Sequence, residues 1–272
     1  MRGLGIEFIS VFGLPPVEFV HLAADLGCRH ISTSLTGARL ASLGYPAFSL
    51  KDDAALRQHL RAAMDDRGIS ISLGEGMVIA PDSDVSGLAA DLDVMAEIGA
   101  AQINTISFDR DRNRTFDQLA LLTELAAERG IGTTIELAPG MTIGDVPTVL
   151  AAIEHAGTAD LRLTVDTMHW ARAGFGGAEL NELGPEKIGY VQLSDTTHTP
   201  RAKSYLHEAM YERLAPGDGE LPLAEILGAV PADVVIGLEI PMRRRAESGV
   251  GPMERLRPCV AATRELFSTL DV

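Results

Sequence analysis

The stretch TFDQLALLTELAAERGIGTTIELA, residues 115–138, decides the fold. Its first part places apolar residues at helical spacing, and the glycine of ERG stops that helix at the position expected for a left-handed cap. A short β-rich run follows at once and ends on an acid, Glu136. Helix, glycine, strand and polar strand end form one repeat of an alternating α/β chain. The same unit recurs on both sides. Strand candidates are GLGIEFIS (3–10), RHISTSL (29–35), ISISLGEGM (69–77), AQINTISF (101–108), GTTIELA (132–138), LRLTVDT (161–167), IGYVQLSD (188–195) and VVIGLEI (234–240). Between them lie the helical patterns PPVEFVHLAADLG, DDAALRQHLRAAMDDRG, DVSGLAADLDVMAEIGA and DVPTVLAAIEHAG, and PMERLRPCVAATRELFSTL closes the chain. Pro258 inside that last pattern implies a kink or a helix start. Eight strands alternating with helices predict a (β/α)₈ TIM barrel spanning residues 1–272 as a single domain. The alternative, a doubly wound open sheet, lacks the Gly-rich nucleotide loop after its first strand.

The composition narrows the function. The chain has 272 residues, 46% hydrophobic and 22% charged, as expected for a globular protein. A formal net charge of −15 opposes binding to nucleic acid and to anionic membrane surfaces. It leaves room for a small anionic substrate met by one or two arginines. Cys28 and Cys259 have no partner at metal-ligand spacing, and a disulfide framework is not expected. The apolar opening MRGLGIEFISVFGL is broken by Glu7 and lacks a cleavage site, so it reads as a first strand. The expected location is the cytoplasm. A homo-oligomer stays open.

In such a barrel, chemistry gathers at the C-terminal strand ends. Strand five ends with Glu136, strand six with Asp166, strand seven with Gln192 and Asp195, and strand eight with Glu239. Any one of these has an ordinary explanation. Asp166, for instance, can cap the helix opening at Thr167. Oxygen-bearing side chains at successive strand ends are much less ordinary. Glu136, Asp166, Gln192 and Glu239 form a hard, all-oxygen set that suits Mg²⁺ or Mn²⁺ better than zinc. Carboxylates so close repel one another, so either a cation sits among them or one is protonated.

Through IEL at Glu136, VDTMH with Asp166 and His169, VQLSD at Gln192, RLAPGDGELPL with Arg213 and GLEIP at Glu239, the chain resembles the xylose isomerase-like TIM barrels over essentially its whole length. That superfamily of sugar isomerases and epimerases also includes endonuclease IV-type and 3-dehydroshikimate dehydratase-like proteins. The resemblance implies one divalent metal held by Glu136, Asp166, Gln192 and Glu239. It implies that the two glutamates double as the acid/base pair, and that His169 and Arg213 face the substrate. Ketose 3-epimerases usually have His where Gln192 stands. They also tend to have a second Glu beyond the strand-five Glu, whereas this chain has MTIGD there. Gln192 is more like the hydroxypyruvate isomerase and dehydroshikimate dehydratase types.

The expected activity is a metal-dependent isomerase or epimerase acting on a small hydroxy-carbonyl, sugar-like substrate through an enediolate. Glu136 or Glu239 would take the α-proton, His169 would meet the oxyanion and Arg213 would grip a distal group. The alternatives are a dehydratase using the same site and a non-catalytic sugar- or metal-binding barrel. DNA cleavage would need more rim histidines and a basic face. Trp170 is either an apolar wall for the substrate or a packing residue beneath its helix. His207, in the long connection after strand seven, is a further substrate-binding candidate, although HEAMYERL also reads as a short amphipathic surface helix.

Overall fold

The computed structural model describes residues 2–37, 40–202 and 204–270, with the side chain of Ala41 outside the description. Eight parallel strands close into a barrel in chain order, with the first pairing the last. They are β1 (Leu4–Ile6), β2 (His30–Ser34), β3 (Ser70–Ile79), β4 (Gln102–Ser107), β5 (Gly132–Glu136), β6 (Leu161–Asp166), β7 (Ile188–Leu193) and β8 (Ile236–Leu238). The helices are α1 (Pro16–Asp25), α2 (Ala54–Arg67), α3 (Ala89–Glu97), α4 (Arg112–Ala127), α5 (Val146–Ala156), α6 (Thr167–Arg172), α7 (Gly177–Leu183), α8 (Tyr205–Tyr211), α9 (Leu223–Gly228), α10 (Arg243–Glu247) and α11 (Pro252–Leu270). Among the described residues, no helix is long and apolar enough to cross a membrane.

Local chemistry sets the helix ends. Asp53, Asp111 and Asp145 each accept a backbone N–H from the first turn, at 2.8, 3.1 and 2.8 Å. α2 stops at Gly68, which takes φ +63° and returns its N–H to the Met64 carbonyl. Two expectations shift. The first strand ends at Ile6 and turns into a 3₁₀ segment, Phe8–Val11. There Ser10 Oγ ties the chain back to β8 through Leu238 O and Ile240 N. α11 begins at Pro252, where a missing N–H costs nothing, and runs through Pro258 instead of starting there. Both cysteines are free and buried, and burial pushes each thiol up to about 11.

Strand alternation divides the protein into two environments. Register partners such as Ile6, Ile31 and Ile71, or Val165 and Val191, turn apolar side chains out toward the helices. The opposite face fills the barrel with polar groups that bond across it. Asn104 Oδ1 accepts from Thr134 and Thr164 at 3.1 and 2.9 Å, and Gln102 donates to Gly189 O at 3.1 Å. Tyr190 donates to Glu7 Oε1 at 2.6 Å and meets Ser72 Oγ at 3.1 Å. Glu7 is fully buried, and burial raises its carboxyl above the usual range. Room for this carboxyl and the phenol exists because β8 carries Gly237. A Cβ there would lie 1.7 Å from Glu7 Oε1 and 2.6 Å from the Tyr190 hydroxyl.

Neither group can swing aside without losing its buried hydrogen bond. Gly237→Ala should therefore destabilise the protein by about 1–3 kcal/mol in urea unfolding. Adding Glu7→Ala should recover part of that loss, because it empties the space the new methyl needs. Wild-type stability in Gly237→Ala would show that the barrel interior is not packed as described.

Candidate active site

The C-terminal mouth of the barrel collects the strand-end residues. β5 brings Glu136, half-buried, and β6 brings Asp166, buried and in register with Gln192 of β7. Glu239 follows β8 directly, its backbone N–H held by Leu193 O at 3.0 Å. Asp166 serves both roles open to it. Its Oδ1 caps α6 by accepting the His169 N–H at 2.9 Å, and its Oδ2 accepts from Arg213 Nη1 at 2.5 Å. The capped turn places the His169 ring in the mouth, with Nε2 3.1 Å from Glu136 Oε1 and 3.9 Å from Asp166 Oδ2. Glu136, Asp166 and His169 each offer a ligand atom, and these atoms lie within 4.8 Å of one another. This is a candidate metal-binding triad.

Arg213 lies buried between two of these carboxylates. It is 4% exposed, and its Nη1 lies 2.8 Å from Glu239 Oε2 and donates to Ser194 Oγ at 3.2 Å. Nε is spent on Ala209 O at 2.8 Å. Burial alone would raise the Asp166 carboxyl, but the Arg213 guanidinium beside it holds it well below the usual range. Glu239 goes the other way. Burial, against the pull of Arg213, and the neighbouring Asp166 carboxylate push it well above the usual range. The guanidinium is an internal counter-ion to both carboxylates.

Two other expectations also move. Trp170 is packed beneath its helix: it is 1% exposed, lies 5.1 Å from the Phe175 ring and donates Nε1–H to Gly176 O at 2.9 Å. His207 is exposed, its ring tilted 53° to that of Tyr211 with centroids 5.2 Å apart. The residue of α8 that enters the site is Tyr205, whose hydroxyl bonds His169 Nδ1. α8 is pinned over the mouth by Glu208, which is fully buried and paired with Arg172 at 2.9 Å. Asp195 faces away from this chemistry. Its two oxygens accept from the backbone N–H groups of Thr196, Gly217, Gly219 and Leu221, folding the loop that returns from Arg213.

The sequence reading missed Glu7, Glu75, Asn104 and Tyr205. Asn104 donates to Glu136 Oε2 at 2.9 Å, holding that carboxylate from the barrel side. Glu75 Oε1 meets Gln192 Nε2 at 3.5 Å. Burial and the Glu7 charge push Glu75 well above the usual carboxylate range. Inward polar alternation in QINT was a signal for Asn104. Tyr205 gave none, since only the folded connection brings it to His169.

The site fits a divalent cation on two counts. Gln192 Oε1 is buried with no hydrogen-bond partner, which is costly unless a cation or water meets it. Glu75, Glu136, Asp166 and Glu239 share the mouth with the Arg213 guanidinium alone as a close cation among the described residues. Carboxyls driven upward by burial and mutual repulsion exchange their protons for a metal when one is supplied.

The comparisons agree with the fold. Among solved structures, the chain is similar to the IolI protein with a bound zinc atom, at 15% identity and TM-score 0.79, covering 99% of each chain. It is similar to the probable 3-DHS dehydratase AsbF from Bacillus anthracis, at 14% identity and TM-score 0.75, covering 97% of this chain and 99% of that one. It is also similar to a D-allulose 3-epimerase from Methylomonas sp., at 13% identity and TM-score 0.68, covering 99% and 98%. At these identities the likeness shows a shared fold. Among curated proteins, none matches the sequence. The family model described as xylose isomerase-like TIM barrel matches residues 20–259, and the chain belongs to that family.

Proposed function

We propose that this protein is a divalent-metal-dependent isomerase or epimerase of a small hydroxy-carbonyl compound. The observation that carries the reading is the convergence of the Glu136 and Asp166 carboxylates in the barrel mouth, beside Glu239 and the unpartnered Gln192 oxygen, with His169 Nε2 3.1 Å from Glu136 Oε1 as a donor rather than a ligand. Glu136, Asp166, Gln192 and Glu239 are the residues that would hold the ion, and their oxygens favour Mg²⁺ or Mn²⁺. When bound, such an ion supplies Lewis acidity toward a substrate carbonyl.

The protein's own groups divide the remaining work. Glu136 and Glu239 are carboxyls on different strands, one held by Asn104 and one by Arg213. One takes the proton next to the carbonyl, and the other returns a proton to the neighbouring carbon or the opposite face. The Tyr205 phenol is kept protonated by burial and the Asp166 charge, so it donates to His169 Nδ1. That fixes the imidazole with Nε2–H directed into the site, toward Glu136 and toward negative charge developing on substrate oxygen. α8 covers the mouth and limits water access.

Two outcomes are expected. Mn²⁺-loaded protein screened against hydroxypyruvate, ketoses and 3-dehydroshikimate in D₂O should introduce deuterium next to the carbonyl of the substrate it turns over. Glu239→Gln should lower that turnover by about 10²–10⁴-fold. Loss of water from the substrate would identify a lyase instead, and unchanged turnover in both Glu136→Gln and Glu239→Gln would refute the acid/base assignment. Separately, Tyr205→Phe removes the bond that orients His169 and should cost roughly 10–100-fold in kcat with little change in KM or melting temperature. Equal kcat in Tyr205→Phe and parent would remove Tyr205 from the site.

A further inference from the structure

We infer that Glu75 is a positioning residue that fixes the side-chain amide of Gln192 with its oxygen toward the cation. This rests on Gln192 being a metal ligand, as proposed above. An amide is a two-ended ligand. Its oxygen binds a cation and its NH₂ cannot, so a glutamine ligand works only if something decides which end points inward. Here the two ends are distinguished. Gln192 Nε2 meets Glu75 Oε1 at 3.5 Å, and Gln192 Oε1 is left buried without a partner. The reversed amide would turn its NH₂ toward the metal position, where it repels a cation.

Glu75 reaches this position through a backbone irregularity. By simple alternation, Ser72 and Glu75 of β3 lie on opposite faces, since they are three residues apart. Both nevertheless bond β7 across the barrel, Ser72 to the Tyr190 hydroxyl and Glu75 to Gln192. The pairing of β3 with β2 slips between Ile31 and Ser32, and its pairing with β4 slips between Gly74 and Met77. Gly74 faces outward, where a Cβ would lie 2.7 Å from Met95 Sδ, and Gly76 takes φ +94°. These slips re-aim Glu75 into the mouth, as bulges near functional sites commonly do. Beneath it lies the Glu7 carboxyl, itself held by Tyr190 at 2.6 Å over the gap left by Gly237. A bulge, the fully buried Glu7 and an interior glycine thus surround Glu75, the hydrogen-bond partner of the Gln192 NH₂ among the described residues.

The test is a Mn²⁺ titration of parent, Glu75→Leu, Glu75→Gln and Gln192→Glu proteins and of the Glu75→Leu/Gln192→Glu double variant. Glu75→Leu should weaken Mn²⁺ binding by about 10–100-fold, the range for losing a partner of a metal ligand. Glu75→Gln should stay within about threefold of the parent, because its NH₂ can face Glu7 and leave its oxygen to accept from Gln192. In the Gln192→Glu background, both ends of residue 192 are oxygen, so Glu75→Leu should no longer weaken binding. Equal weakening in Glu75→Leu and Glu75→Gln would show a charge effect only and overturn the inference. So would an undiminished effect of Glu75→Leu in the Gln192→Glu background. If Glu75→Leu does not fold, ¹³C and ¹⁵N spectra of the Gln192 side chain decide in the parent. On Mg²⁺ addition the carbonyl carbon should shift while the NH₂ pair stays hydrogen-bonded, and the converse pattern overturns the inference. Asp166→Asn and Gln192→Leu are the controls. If neither weakens Mn²⁺ binding, the metal reading itself fails. If they do and Glu75→Leu does not, only the role of Glu75 fails.

Discussion

The Asp166 carboxylate holds the site together because its two oxygens commit to different elements. Oδ1 terminates β6 and starts α6 by taking the His169 N–H, while Oδ2 binds Arg213, which comes from the far side of the β7–β8 connection. Arg213 in turn faces Glu239 at the end of β8. One side chain therefore links the direction of the imidazole, the position of the covering helix and the height of a second carboxyl. Removing one partner from such a buried charge set leaves the others uncompensated, typically at a cost of about 3–5 kcal/mol. The arrangement is rigid for that reason.

The barrel interior supports the site with polar chemistry. Barrels of this kind are usually filled by branched apolar side chains. Here Asn104, Thr134 and Thr164 form one hydrogen-bonded cluster in the lumen and Ser72, Tyr190 and Glu7 form another, while their apolar neighbours on each strand face the helices. Networks of this kind are strong only when fully satisfied. Asn104 reaches up to Glu136 and Glu75 meets Gln192, so two residues proposed as ligands are oriented from below.

The long connection between β7 and β8 contributes in two separable ways. Asp195 gathers the N–H groups of Gly217, Gly219 and Leu221 and gives the returning loop its shape. α8, seated by Glu208 on Arg172 and Thr196, delivers Tyr205 to His169 and directs His207 outward. Covering helix and catalytic pocket are thus joined through one phenol–imidazole bond.

Local rules made much of this protein legible in its sequence. Alternation of helical and β-rich runs determined the eight-stranded barrel, and polar residues closing apolar strands located Glu136, Asp166, Gln192 and Glu239, because a strand end has a fixed place in this architecture. The capping geometry after Asp166 set His169 one turn beyond it. Tertiary structure decided the rest, through contacts between residues far apart in the chain. Arg213 was read as facing substrate, and the fold adds a role as counter-ion, buried between two carboxylates. The core takes up the side chain of Trp170, and solvent that of His207. Glu75 was invisible to a period-two reading, since two slips of register turn it inward, and a slip of register is a property of strand pairs that no single strand's sequence records.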